Sequence, residues 1–307
     1  MNLLSHLHAP HSAAMARRDW LRLSTAGAVT ALTALAAPAQ TAPPRSKPRL
    51  VTVGGALTEV VYLLGAQAQL VGTDSTSLYP PAAQQTPKVG YMRQLSAEGL
   101  LSLAPDAVIA TTEAGPAVVL DQVRAAGVRV ELIESDHSWA EVQRKVAAVG
   151  RAANRVAQAA ALQAQLDNDW ALVLAQGSRR DTKKPRVLFL LAHGASPQMA
   201  GEQTAADAMI RFMGGVNVMR GFSGYRAMTA EAMASAAPEL ILTTTQGVTA
   251  LGGVDKLWAR PELALTPAYR LRAQANALLH LDALELLGFG PRLPGTVREL
   301  QRRMTQA

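Results

Sequence analysis

The chain has 307 residues, of which 49% are hydrophobic and 17% charged, so it can bury one large domain or two lobes and is not a single small module. Its 30 Lys+Arg against 23 Asp+Glu give a formal charge of +7, which favours an anionic partner, but with 4% aromatic residues and no basic run interleaved with rings, nucleic acid is a poor candidate. The absence of cysteine excludes disulfides, thiolate metal sites and cysteine nucleophiles.

Residues 1–39 read as an address. Arg17-Arg18-Asp19-Trp20-Leu21 precedes a mild apolar stretch from Ala26 to Ala37 that ends in Ala37-Pro38-Ala39. The stretch is shorter than the roughly 20 apolar residues that span a bilayer, and the small residues at its end suit a signal peptidase. A twin-arginine export signal and a periplasmic destination are expected, with Met1 or Met15 as the start. Past Ala39 the chain retains His137, His193 and His280, a thin supply for a purely histidine metal site.

From Arg49 short β-branched runs alternate with helical stretches, the signature of parallel α/β units. Strands are predicted at Leu50–Val53, Gln69–Thr73, Ala107–Thr111 and Val128–Ile133, with helices near Leu57–Leu64, Ala97–Leu103 and Ala117–Ala126. Trp139 to Leu174 contains no proline and is rich in Ala, Gln, Arg and Leu at helical spacing; as one helix it would be about 54 Å long, enough to join two lobes. A second alternating region has strands Arg186–Leu191, Leu240–Thr244 and Leu278–Leu281, and helices Thr204–Met213, Val254–Trp258 and Pro294–Met304. The expected division is an export signal (1–39), an N-terminal α/β lobe (40–138), an interlobe helix (139–178) and a C-terminal α/β lobe (179–307).

The halves share a repeat at a constant offset of 133 residues. Gly90-Tyr91-Met92-Arg93-Gln94-Leu95-Ser96-Ala97-Glu98 matches Ser223-Gly224-Tyr225-Arg226-Ala227-Met228-Thr229-Ala230-Glu231, and Ala104-Pro105-Asp106 matches Ala237-Pro238-Glu239. Arg93 aligns with Arg226 and Glu98 with Glu231, so each lobe is expected to contain a related supersecondary unit.

Ligands of parallel α/β lobes bind outside the carboxyl ends of the strands. Gly54-Gly55 and His193-Gly194 follow the first strand of each lobe, and Gly90–Arg93 and Gly224–Arg226 precede helices, so all four segments are expected to line one cleft. G-x-S-x-G, H-E-x-x-H and Walker patterns are absent, which favours a binding protein over an enzyme.

Val51-Thr52-Val53-Gly54-Gly55, Thr58-Glu59, Ser77-Leu78-Tyr79-Pro80, Val89 to Gly99 and Leu287-Gly288-Phe289-Gly290-Pro291-Arg292 together resemble the periplasmic haem-binding proteins of bacterial ABC importers, over essentially all the exported chain. The resemblance implies two Rossmann-like lobes joined by a long rigid helix, the helical-backbone class III of periplasmic substrate-binding proteins. It implies haem as the transported ligand, with an ABC permease and its ATPase as partners of a monomeric binding protein. The family's iron-ligating tyrosine falls on Tyr91, a hard oxygen donor suited to Fe(III); its phenol needs iron and a neighbouring cation to ionise, and Arg93 can supply that cation. If the segment is extended, positions i and i+2 share a side.

The resemblance leaves His193 as an optional second axial ligand. Arg226 is the candidate for pairing with a haem propionate, Tyr225 for bonding the same group or stacking on the porphyrin, and Gly54, Gly55, Met92 and Gly194 for lining the cleft, while Met199 and Met228 are read as either ring contacts or core filler. Permease docking falls to Glu59 in the first lobe and to Asp207 or Glu231 in the second, each of which could equally be a helix N-terminal charge. Same-fold binding of cobalamin or a ferric siderophore, and an exported haem enzyme, stay open as alternatives.

Overall fold

The computed structural model describes residues 47–178, 184–193 and 196–304, so the expected export signal and Gly194 lie outside the described residues. The first lobe runs β1 (Leu50–Val53), α1 (Gly55–Leu63), β2 (Leu70–Thr73), the hairpin β3 (Gly90–Tyr91) and β4 (Gln94–Leu95), α2 (Ala97–Leu101), β5 (Ala107–Thr111), α3 (Ala117–Ala125) and β6 (Arg129–Ile133). Its sheet is parallel in the order β2-β1-β5-β6, with Leu50 opposite Ala107 and Val53 opposite Ala110. Every residue of β1 and β5 is buried, as parallel strands covered on both faces require.

The second lobe contains β7 (Arg186–Leu191), β8 (Gln198–Ala200), α6 (Ala205–Met213), β9 (Val216–Asn217), β10 (Tyr225–Ala227), α7 (Ala230–Ala236), β11 (Leu240–Thr244), α8 (Thr245–Ala250), α9 (Val254–Trp258), α10 (Pro267–Arg270), β12 (Leu278–Leu281), α11 (Ala283–Leu287) and α12 (Leu293–Met304). Its sheet has the order β10-β8-β7-β11-β12; β7, β11 and β12 are parallel, β8 and β10 form an antiparallel margin, and β9 pairs with the amino end of β7.

The single 36-residue helix expected from Trp139 to Leu174 does not form. The chain makes α4 (Trp139–Ala152) and α5 (Val156–Ser178), separated by Asn154 in the left-handed region at φ 54°. The two helices fold back on each other. Trp139 stacks on Trp170 at 5.0 Å, and the indole N–H of Trp139 and the amide of Gln143 both donate to Asp167 Oδ1 at 2.7 and 2.9 Å. Near the bend a Cβ on Gly150 would lie 2.4 Å from that of Ala159, so glycine is required there. Both helices pass between the lobes: α4 places Val142 in the second-lobe core and Val146 and Val149 in the first, and the 23-residue α5 is about 34 Å long at 1.5 Å per residue. Ala159 and Leu166 pack in the first-lobe core, and Trp170 and Val173 in that of the second.

A second joint lies across the α11–α12 corner, Gly288 to Arg292. Lys145 of α4 is buried and donates to the carbonyls of Gly288 and Phe289 at 2.9 and 3.0 Å and to Glu141 Oε1 at 2.6 Å. Burial lowers the proton affinity of Lys145, and the Glu141 carboxylate opposes that shift. Beside it, Arg292 Nε and Nη2 donate to both carboxylate oxygens of Glu59 at 2.9 and 2.7 Å, and the guanidinium lies 4.1 Å from the centre of the Tyr79 ring. The Gly-Phe-Gly-Pro-Arg segment thereby seats the second lobe on α1 and α4 of the first.

Candidate functional site

The β3–β4 hairpin carries Tyr91 and Arg93. Gly90 pairs with Leu95 and Tyr91 with Gln94, which places Met92 and Arg93 in the turn. The hairpin is tied down by its backbone on both sides: Ser75 N donates to Gly90 O, Gly115 N to Met92 O and Leu95 N to Gly115 O. Met92 is buried in the first-lobe core, which corrects its expected place on the cleft wall and shows what anchors the turn from beneath. With its neighbours held, the Tyr91 ring projects outward at 41% exposure.

Arg93 Nη1 donates to Tyr91 Oη at 2.9 Å. Contact at i and i+2 was expected from an extended strand; here a tight turn produces it. Arg93 Nη2 donates to Glu113 Oε2, also at 2.9 Å. Glu113 lies in the turn that follows the carboxyl end of β5, closed by Ala114 N to Thr111 O. Burial works against the charge on Arg93, but the Tyr91 hydrogen bond and the Glu113 carboxylate outweigh it and raise its proton affinity. One guanidinium therefore bridges a phenol and a carboxylate.

Tyr225 of β10 faces this group from the second lobe. Burial pushes its phenol up, the Glu113 charge adds to the shift and Arg93 opposes it, so its oxygen lies within the field of both. Arg226, next on the strand, alternates to the other side and lies over the Phe222 ring at 4.3 Å; among the described residues no carboxylate pairs with it. His193 is exposed in the bend after β7, and no contact ties it to the Tyr91–Arg93–Glu113 group.

Several expected positions are corrected. Gly54 and Gly55 are buried and do not line the cleft; a Cβ on Gly55 would lie 2.7 Å from the side chain of Leu284, so this glycine permits contact with the second lobe. Glu59 is 4% exposed and taken up by Arg292, so it presents no carboxylate to a partner. Burial pushes its carboxyl up, against the pull of Arg292. Asp207 is buried too, accepting from Asn217 Nδ2 at 3.0 Å and facing Arg211. Met199 and Met228 belong to the second-lobe core, as filler. Glu231 is exposed at the start of α7, and Glu98, its repeat counterpart, is exposed at the start of α2. Glu113 escaped the sequence reading, although it follows a strand's carboxyl end just as Gly54 does.

A family profile described as "Periplasmic binding protein" matches residues 50–273. The chain belongs to this family. Among solved structures it is similar to the periplasmic haem-binding protein BhuT in complex with two haems, with 44% identity, a TM-score of 0.79 and coverage of 84% of this chain and 97% of that one. A periplasmic haem-binding protein from Pseudomonas aeruginosa is 32% identical, with a TM-score of 0.71 over 85% of this chain and 94% of the other. Among curated relatives, a cobalamin-binding protein of Halobacterium salinarum is 28% identical over 229 residues, 73% of this chain; this chain spans only 59% of that relative's length.

Proposed function

We propose that this protein captures ferric haem in the cleft between its lobes and delivers it, in the periplasm, to the permease and ATPase of an ABC importer. The observation that carries this reading is the exposed Tyr91 phenol with its oxygen held 2.9 Å from the Arg93 guanidinium. A porphyrin supplies four nitrogens to its iron, so the protein needs to add only an axial donor. Phenolate is a hard anionic oxygen that suits Fe(III), and Arg93 favours the ionised form. Tyr225 faces the same space and is suited to hydrogen-bond a propionate or stack on the ring. Arg226 stacks on Phe222 through its face, which leaves the N–H edge of its guanidinium to pair a propionate in this reading. The similarity to BhuT, 44% identical and solved with two haems, supports haem over cobalamin, whose binding has no use for a phenolate donor at Tyr91. Nothing in this geometry calls for a reaction, and the family binds solutes.

Titrating the exported chain with haemin, beside Tyr91→Ala, Tyr91→Phe and His193→Ala, tests the assignment. The wild type is expected to show a tyrosinate-to-iron absorption band. Both Tyr91 variants lose the band, with affinity falling by more than the roughly 10–100-fold typical of removing an outer-shell partner. Stoichiometric haem with an unchanged spectrum in Tyr91→Ala would sink the reading. If His193→Ala changes the wild-type spectrum, the iron is held from both lobes; if it does not, Tyr91 is the sole protein ligand.

For docking, the repeat and the exposures favour Glu98 and Glu231, one per lobe at equivalent helix starts, as the carboxylates that meet basic residues of the permease. Charge reversal at either, Glu98→Lys or Glu231→Lys, is expected to impair haem uptake by cells to a similar degree while leaving haem binding intact. Unchanged uptake in both variants would remove this pair.

A further inference from the structure

Glu113 has no assigned role, and its geometry gives it one. It reaches Tyr91 only through Arg93, whose two terminal nitrogens are divided between the phenol and the carboxylate at 2.9 Å each. It is neither a cap nor a core residue: its side chain is 38% exposed, on the turn beyond β5 that faces the cleft. Its field extends across the opening to Tyr225.

We propose that Glu113 is a positioning residue that sets the preference of the site for ferric over ferrous haem. The inference rests on Tyr91 being the iron ligand. With Tyr91 ionised, Tyr91, Arg93 and Glu113 carry one net negative charge. A ferric porphyrin core carries one positive charge and cancels it. A ferrous core is neutral and leaves the negative charge without a counterpart in a half-buried cleft. Without the Glu113 charge the phenolate and guanidinium cancel each other, and it is the ferric core that stands uncompensated. Glu113 therefore tilts the site toward Fe(III) while holding Arg93 against the phenol.

The two parts of the role separate by substitution. Glu113→Gln retains an acceptor for Arg93 but loses the charge, whereas Glu113→Ala loses both. Affinities for haemin, and for haem under anaerobic reduction, are measured for wild type, both Glu113 variants, Arg93→Gln and Tyr91→Phe.

Glu113→Gln is expected to keep the tyrosinate band while its ferric-to-ferrous affinity ratio falls roughly tenfold, the scale of one partly screened charge near the iron. For a one-electron couple that is a rise of about 59 mV in the midpoint potential of the bound haem. Arg93→Gln, which removes the opposing charge, moves the ratio the other way, and it keeps the proposal testable if the Glu113 variants fold poorly.

A ratio within twofold of wild type in Glu113→Gln, with Glu113→Ala weakening both redox states equally, would make Glu113 a structural support only and overturn the proposal. Tyr91→Phe keeps the two readings apart. If it retains the tyrosinate band, the ligand assignment fails; if it loses the band while the ratio ignores Glu113, the Glu113 role alone fails.

Discussion

The two copies of the 133-residue repeat have the same frame and different contents. In the first lobe Arg49 Nε and Nη2 donate to the carbonyls of Ala104 and Leu103, closing the end of α2, and its backbone N–H donates to Asp106 Oδ2. In the second, Arg186 makes the same three bonds, to Ala237, Ala236 and Glu239 Oε2. Ala104 and Ala237 even share the left-handed backbone, at φ 42° and 44°. An arginine at the start of each lobe's first strand thus closes the end of a later helix in both lobes.

The divergence begins just upstream. The Tyr91–Arg93 segment folds on itself as a hairpin and directs its arginine at a phenol and a carboxylate, whereas the matching Gly224–Arg226 segment runs into β10 at the sheet margin beside β8 and lays its arginine on Phe222. Common scaffolding holds both segments just ahead of equivalent helices. What each can do is decided by whether the loop before the helix pairs with itself or with a sheet.

Replacing each arginine tests that contrast most strongly. Arg93→Ala removes the cation beside the proposed ligand oxygen of Tyr91 and strands Glu113, so haem affinity is expected to fall roughly 10–100-fold, as for an outer-shell partner of a metal ligand. Arg226→Ala removes an exposed cation stacked on a ring and is expected to cost about threefold to fivefold, the worth of an exposed ion pair with a propionate. Isothermal titration with haemin measures both. Equal losses would mean that the two arginines serve the ligand alike and that the hairpin confers nothing.

Much of this architecture can be read from local pattern. β1, β5 and β11 are apolar and β-branched runs buried throughout, β7 is buried over its four middle residues and β12 is half-buried, and the predicted limits of all five agree with the structure to within a residue. Elements that depend on partners were not legible. β8 and β10 are three residues each, and β10 is exposed throughout, so only pairing makes it a strand. The α4–α5 bend lacks glycine and proline; its one signal is Asn154, a residue tolerant of left-handed backbone, and the apposition of Gly150 with Ala159 emerges only in three dimensions.

The site divides in the same way. Tyr91 and Arg93 are two residues apart, and local spacing alone is enough to pair them. Glu113 is 20 residues from Arg93, and Arg292 is 233 residues from Glu59. The expectation that Glu59 docks on a permease fails because nothing nearby in sequence announces the guanidinium that takes up its buried carboxylate.

The smallest expected effect concerns the caps that the two copies share. Ser96 Oγ accepts from Gly99 N at 3.0 Å and Thr229 Oγ1 from Ala232 N at 3.2 Å, each satisfying one otherwise unpaired donor in the first turn. Ser96→Ala and Thr229→Ala should each lower stability by about 1 kcal/mol in urea unfolding followed by circular dichroism. Equality is the point, since equivalent caps on equivalent helices should cost the same even where the loops before them have diverged. Haem affinity should change less than twofold in either variant. The β3–β4 hairpin is held by Ser75, Gly115 and its own pairing, and Leu95 is fixed by the Gly115 carbonyl before the cap is reached. A loss of haem affinity confined to Ser96→Ala would mean that α2 itself sets the hairpin's pose, which would make the first-lobe helix part of the binding apparatus and not merely half of a duplicated frame.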